Sequence, residues 1–142
     1  MQRKQGTCLS KKQKQWSMRI SVENYPKAES YVLVQDRMSK AARLLRSLGV
    51  EPKLSGYRCL CFAIPMVAER PNIMMKEVYP IVAKHCGLSD ARCVERVIRS
   101  AIYKAWLNRD DTVWLCYFIR NRAGEVKRPT NKEFIASLAE DV

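Results

Sequence analysis

The sequence has no long apolar run, only one histidine and few glycines. No segment approaches the ~18 consecutive apolar residues that a membrane-spanning helix needs, so we expect no membrane-spanning helix. The basic N-terminus is not followed by a hydrophobic segment, as a secretory signal would be, and we expect a cytoplasmic protein with reduced cysteines. Cys59 and Cys61 form a single C-x-C pair without the second pair or the two histidines of usual zinc sites. We therefore expect neither a metal nor a cofactor.

The motifs of common enzymes are missing as well. There is no glycine-rich phosphate loop and no arrangement of paired carboxylates. Cys86 adjoins His85, but neighbouring side chains on a helix point about 100° apart, which suits a nucleophile and its base poorly. The sequence predicts a protein that is not an enzyme.

Positive charge is what the chain has in excess. It carries 26 Lys and Arg against 14 Asp and Glu, a formal net charge of +12, which favours an anionic partner such as nucleic acid, a membrane surface or an acidic protein. Residues 1–19 hold six basic residues and no acidic one, and we interpret them as a flexible basic arm. Residues 20–35 fit a linker, a short strand pair or an added helix. One domain is expected over residues 36–142.

Helical periodicity dominates from Asp36 onward, and it predicts an all-α fold of about six helices with little or no sheet. The apolar run at 112–119 is compatible with a strand or with a buried helix. The other predicted helices are 36–48 before Gly49, 56–69 with Pro65 inside, 79–86 with Pro80 in its first turn and Gly87 at its end, 90–107 capped by Ser89 or Asp90, and a last helix opened by a Thr130–Glu133 capping box.

The helix at 90–107 has two different faces. At 100° per residue, Arg92, Glu95, Arg96, Arg99 and Tyr103 fall on one side, and apolar residues fall on the other. A solvated outer face is the ordinary explanation of such a pattern. The preceding short helix and the Gly-containing turn suggest a second explanation. A helix, a short turn and a longer basic helix form a helix-turn-helix, here at about 79–107.

A helix-turn-helix presents the N-terminal half of its second helix to the major groove of DNA, and that half holds the arginines. Arginine binds guanine O6 and N7 with both arms of its guanidinium, and glutamate can accept from cytosine N4. A carboxylate also repels phosphate, so Glu95 is better suited to discrimination than to attraction. We predict that Arg92, Glu95, Arg96 and Arg99 contact bases.

From about residue 38 to the end, the chain resembles one family in the order and spacing of its segments: "LGVEPKLSGYRCLCFAI", "YPIVAK", "VERVIRSAIYKAW" and "KRPTNKEFIASLAEDV" carry the likeness. The family is the DNA-binding effector domain of stage zero sporulation protein A, a regulator of sporulation in bacteria. The resemblance implies an all-α, winged-helix-like domain of the response-regulator effector type. It also implies sequence-specific binding of double-stranded DNA, transcription regulation, a nucleoid-associated location, and pairing of neighbouring domains on tandem sites.

Two positions depart from the family pattern at the predicted DNA-reading helix. The family commonly has Ser-Arg before Val-Glu-Arg, where this chain has Arg92-Cys93, and Ser100 stands where the family often has a histidine. We therefore include Ser100 among the base contacts and expect a different or a relaxed DNA preference. The family's phosphoacceptor receiver domain has no counterpart in the residues that precede the domain, so we expect control without aspartyl phosphorylation if the chain is complete.

Candidate phosphate contacts surround this helix: Lys84, Lys104, Lys127, Arg128 and Tyr57. Ordinary surface positions are equally compatible with the four basic residues, and Tyr57, which matches a family position, also suits core packing. Two other functions stay open. The chain could be an interaction or competitor module that pairs with a full-length regulator, or a nonspecific nucleoid-type DNA binder.

Overall fold

The computed structural model describes residues 28–118 and 120–142, and their regular secondary structure is helical. The chain divides into two units, residues 1–35 and residues 36–142, and the packing described below is that of the second. None of the described helices is both long and apolar enough to cross a membrane. The helices are α1 (Ala28–Ser47), α2 (Ser55–Glu69), α3 (Met75–Cys86), α4 (Ala91–Leu107), α5 (Asp111–Trp114) and α6 (Asn131–Ala139).

These six helices confirm the predicted all-α fold. In the part of the chain that the structure describes, β pairing is limited to one isolated antiparallel bridge between Arg120 and Val126. The predicted basic arm at 1–19 lies outside the described residues. α1 begins at Ala28, eight residues before the predicted start at Asp36, because no proline or glycine interrupts the chain between Pro26 and Gly49.

α2 is the central helix of the domain. Eleven of its fifteen residues are buried, and it packs against α3, α4 and α6. A helix that is apolar on all sides is stable only when other elements surround it, which is the case here. Pro65 does not end the helix, which continues to Glu69 although the carbonyl of Cys61 loses its usual backbone donor at that proline.

α1 ends as its sequence predicts. Gly49 takes a φ of 89°, the left-handed conformation that glycine adopts at low cost. The backbone N–H of Val50 donates to the carbonyl of Leu45 at 2.9 Å, and that of Gly49 donates to Arg46 at 3.1 Å. Together these bonds form a Schellman motif, which satisfies the last carbonyls of the helix.

The start of α3 differs from the prediction. Pro80 was predicted in the first turn of this helix, but the helix begins at Met75, so Pro80 lies in its interior. The earlier start is stabilised by Glu77, whose carboxylate accepts from the backbone N–H of Met74 at 3.1 Å. This bond satisfies a donor that the helix itself leaves free. The predicted end is confirmed, with Gly87 at a φ of 69°.

In the described part of the apolar run at 112–119, which ends at Phe118, the backbone forms neither a strand nor a continuous helix. α5 ends at Trp114, and residues 115–117 form turns. The Trp114 side chain is fully buried, and its indole N–H donates to the carbonyl of Leu48 at 3.1 Å. Its ring lies 5.0 Å from that of Phe118 and 6.0 Å from that of Phe134. The run therefore supplies aromatic side chains to the core from a short helix and from the irregular backbone that follows it.

α6 begins with the predicted capping box. The Thr130 hydroxyl accepts from the backbone N–H of Glu133 at 3.1 Å, and the Glu133 carboxylate accepts from the backbone N–H of Thr130 at 2.9 Å. The helix buries Phe134, Ile135 and Leu138, as its spacing predicts. The start of α6 is thus held both by local hydrogen bonds and by the core.

Candidate nucleic-acid interface

α3 and α4 are joined by the four-residue turn 87–90. Gly87 turns the chain in the left-handed conformation, and the backbone N–H of Leu88 donates to the carbonyl of Ala83 at 2.9 Å. The Asp90 carboxylate then accepts from the backbone N–H of Cys93 at 2.9 Å, so Asp90 rather than Ser89 is the N-cap of α4. Two helices joined by a short glycine-containing turn are the arrangement expected of a helix-turn-helix.

α4 has one buried and one exposed face. The core side holds five buried residues, namely Val94, Ile98, Ala101, Ile102 and Ala105. All the side chains predicted to contact bases are exposed, and we call them the recognition face: Arg92, Glu95, Arg96, Arg99 and Ser100. Because the opposite side is buried, this face cannot rotate inward without exposing apolar surface.

Two interactions orient charged groups within the recognition face. Arg99 and Glu95 form an ion pair of 3.2 Å, with their side chains 63% and 48% exposed. The Arg96 guanidinium donates to the Cys93 sulfur at 3.6 Å. An exposed pair of this kind contributes only a few tenths of a kcal/mol, so a nucleic acid could replace it at little cost.

The four basic residues predicted to contact phosphate are all exposed. Lys84 lies in the last turn of α3, and Lys104 lies in the last turn of α4. Lys127 and Arg128 precede α6, and the Arg128 guanidinium lies 5.2 Å from the centre of the Tyr103 ring. This cation–π contact brings the segment before α6 to the exposed side of α4.

Tyr57, the fifth residue predicted to contact phosphate, is buried. Its side chain is 3% exposed, and its hydroxyl accepts a hydrogen bond from the Arg46 guanidinium at 3.0 Å. Burial, followed by the neighbouring Cys61 thiol, raises the pKa of Tyr57 to about 12, although Arg46 acts in the opposite direction. This position favours the core-packing interpretation of Tyr57 over the predicted phosphate contact, because a buried phenol cannot reach a nucleic acid backbone.

An open groove runs beside the recognition face. Its walls are α4 and the start of α6, and α3 contributes Met75 and Tyr79. Arg96, Arg99 and Arg128 line it together with Lys132. The groove is positively charged apart from Glu95, as expected of a surface that follows a phosphate backbone.

Asn131 is the interface residue whose role sequence reasoning missed. Its side-chain N–H₂ donates to the backbone carbonyl of Glu95 at 3.0 Å and to the Tyr79 hydroxyl at 3.3 Å. The sequence indicates only that Asn131 follows the N-cap of a helix. No local signal joins residues that lie 36 and 52 positions apart.

Residues 41–142 match the family model described as Sporulation initiation factor Spo0A C terminal. The chain belongs to this family. The match covers the end of α1 and all of α2 to α6, so the helix-turn-helix and the groove lie within it. Spo0A C-terminal domains are DNA-binding domains of sporulation regulators and are not an enzyme family. The resemblance carried by the quoted sequence segments is thereby confirmed.

In the described part of the Spo0A C-terminal domain, no three His, Cys, Asp or Glu side chains are grouped so that they could hold a metal ion. Cys59, Cys61 and Cys86 are buried in the core and form no disulfide. They are small apolar core residues in this setting.

Proposed function

We propose that the protein is a transcription regulator that binds specific sequences of double-stranded DNA by placing α4 in the major groove. In this arrangement the recognition face contacts base edges. Lys84, Lys104, Lys127 and Arg128 contact phosphates on either side. The exposed basic residues of the groove add to the electrostatic attraction.

The observation that supports this proposal best is the exposure of all five recognition-face residues on a helix whose other side is buried. A merely solvated face would also be exposed, but here the three arginines lie in the first half of the second helix of a helix-turn-helix. That half is the part of the motif that reaches base edges. Arginine is the residue best suited to bidentate recognition of guanine.

The test is a binding titration with the full chain. A preferred duplex is first enriched from a random-sequence pool, and we call it the selected duplex. A scrambled duplex of the same base composition is the comparison, and both are titrated at about 50 and 150 mM salt. We expect preference for the selected duplex at the higher salt, with a residual salt dependence from phosphate contacts.

Arg96→Ala is the decisive variant. It should weaken binding to the selected duplex by about 1–3 kcal/mol and binding to the scrambled duplex by much less, because it removes a base contact. Lys104→Ala is the matched control, and it should weaken both duplexes alike because it removes a phosphate contact. Enrichment of no duplex, or equal losses in Arg96→Ala on both duplexes, would contradict specific recognition and favour a nonspecific DNA binder.

Pairing on DNA is part of the same proposal, since the family resemblance implies neighbouring domains on tandem sites. A duplex with two copies of the selected site should then bind two chains with a steeper titration than a duplex with one copy. Independent binding to the two copies would remove this part of the proposal and leave base recognition intact.

A further inference from the structure

Asn131 connects three helices through one side-chain amide. It is the first residue of α6, and it donates to the Glu95 backbone carbonyl in α4 at 3.0 Å and to the Tyr79 hydroxyl in α3 at 3.3 Å. α3 and α4 are the two helices of the helix-turn-helix. The amide therefore contacts both of them from outside the motif.

The acceptor in α4 is the backbone and not a side chain. A bond to the Glu95 carbonyl restrains where the helix lies and how it is rotated about its axis, and it leaves the side-chain rotamers free. Glu95 also lies in the middle of the recognition face, one position before Arg96. A small shift of the helix at this point would move every side chain of that face.

The donor itself is held in place by the core. Thr130 and Glu133 fix the start of α6 through the capping box, and Phe134, Ile135 and Leu138 bury the helix, which packs mainly on α2. α6 packs less extensively on α4 than on α2. The Asn131 amide is thus a direct hydrogen-bonded link from this anchored helix to the exposed helix that would read DNA.

We propose that Asn131 is a positioning residue for DNA recognition, which sets the placement of α4 relative to α3 and α6 without itself contacting DNA. The proposal rests on the proposed function, because it concerns how the recognition face is presented. Bidentate arginine–guanine bonds need a defined approach of the guanidinium to the base edge, whereas contacts with phosphate tolerate displacement. Loss of the Asn131 bonds should therefore reduce sequence preference more than overall affinity.

Asn131→Ala tests the proposal, since it removes both hydrogen bonds without adding charge at a position where alanine suits a helix. On the selected duplex we expect an affinity loss on the order of tenfold, similar to the loss that one mismatched base pair causes. On the scrambled duplex we expect a loss below about twofold. Lys132→Ala is the matched control at the next position, and it should change both duplexes alike because it removes only an exposed charge.

Tyr79→Phe is a second variant that keeps the Glu95 bond and removes only the bond to α3. It should give an intermediate loss on the selected duplex, which keeps the proposal testable even if Asn131→Ala folds poorly. Backbone amide resonances of Glu95, Arg96 and Arg99 should shift in both variants without DNA, a change that Lys132→Ala should not produce.

A double variant distinguishes positioning from direct contact. If Asn131 acts through the recognition face, Asn131→Ala should cost markedly less when Arg96→Ala is already present than when it is made alone. Additive losses, equal losses on both duplexes, or no loss on the selected duplex would each overturn the proposal. If the unchanged chain prefers no duplex, the proposed function fails and this inference fails with it. If Arg96→Ala abolishes the preference and Asn131→Ala retains it, only this inference fails.

Discussion

Glu95 is the residue whose charge opposes the rest of the interface. It lies among Arg92, Arg96 and Arg99 on the exposed side of α4 and pairs with Arg99 at 3.2 Å. In the proposed complex its carboxylate would repel phosphate on every duplex, but it would accept from cytosine only where the DNA sequence provides one. Glu95 should therefore lower overall affinity and raise the difference between duplexes.

Glu95→Gln should strengthen binding to the scrambled duplex, because it removes the repulsion between the carboxylate and phosphate. It should also reduce the ratio of the Kd for the scrambled duplex to the Kd for the selected duplex, because the amide oxygen is a weaker hydrogen-bond acceptor than the carboxylate. The measurement is the pair of titrations at two salt concentrations. Glu140→Gln, which removes the same charge at the end of α6, should leave the ratio unchanged. A ratio that stays the same in Glu95→Gln would show that Glu95 has no part in discrimination.

For Tyr57 the structure leads to a prediction about the pH dependence of folding stability and not about DNA binding. Its folded pKa of about 12 exceeds the model-peptide value of 10.0, mainly because the phenol is buried. A raised pKa means that folding favours the neutral phenol, so this stabilisation is fully present below pH 10 and is lost as the pH rises from 10 to 12.

The full chain should therefore lose about 1 kcal/mol more stability between pH 8 and pH 11 than Tyr57→Phe, which has no phenol to ionise. Urea unfolding of both proteins at the two pH values measures the difference. Parallel losses in the two proteins would mean that the phenol ionises as readily in the folded chain as in the unfolded one.

At the scale of elements, the contact between α2 and α4 determines how deeply the recognition helix sits on the core. Gly56 in α2 lies directly against α4, where an added Cβ would clash with the carbonyl of Val97 and lie 2.6 Å from the Cβ of Ala101. The first of these atoms belongs to the backbone and cannot move without the helix. The two helices approach this closely only because residue 56 has no side chain.

Gly56→Ala should lower the free energy of unfolding by about 1–3 kcal/mol through overpacking, although alanine has the higher helix propensity. It should also weaken preference for the selected duplex, because α4 must move. Denaturant unfolding and the duplex titration measure the two effects. Ser55→Ala at the neighbouring exposed position is the control, and a neutral or stabilising Gly56→Ala would contradict the close packing.

At the scale of the whole molecule, the net charge of +12 is unevenly placed along the chain. Residues 1–19 hold six of the 26 basic residues and none of the 14 acidic ones. Such a segment should add affinity for any DNA without adding sequence preference, and its contribution should fall steeply as salt rises.

Replacing those six residues with Gln tests this in the full chain. The slope of log Kd against log salt should become shallower by up to about 5, since each phosphate contact contributes about 0.9. The preference for the selected over the scrambled duplex should not change, because the recognition face is intact. An unchanged slope would mean that the segment makes no contact with DNA. The replaced residues are Arg3, Lys4, Lys11, Lys12, Lys14 and Arg19.

Local sequence signals predicted most of the elements correctly. Gly49 and Gly87 end helices, Asp90 caps α4, and Thr130 with Glu133 opens α6, because each of these features depends on residues within a few positions of one another. The predicted start of α3 was wrong because Pro80 suggested a first turn. The hydrogen bond that caps the helix comes instead from Glu77, which lies further upstream. Residues 112–119 stayed ambiguous because an apolar run has no period of its own.

The sequence by itself determined the all-α fold, the helix-turn-helix and which side chains lie on the outer side of α4, since helical periodicity and turn chemistry are local properties. Only the tertiary structure decided that Tyr57 is buried, that α4 packs closely on α2 at Gly56, and that Asn131 links α4 to α3 and α6. These features depend on contacts between residues that are far apart in the chain. Such contacts form only when the helices pack, so no short stretch of the sequence contains a signal for them.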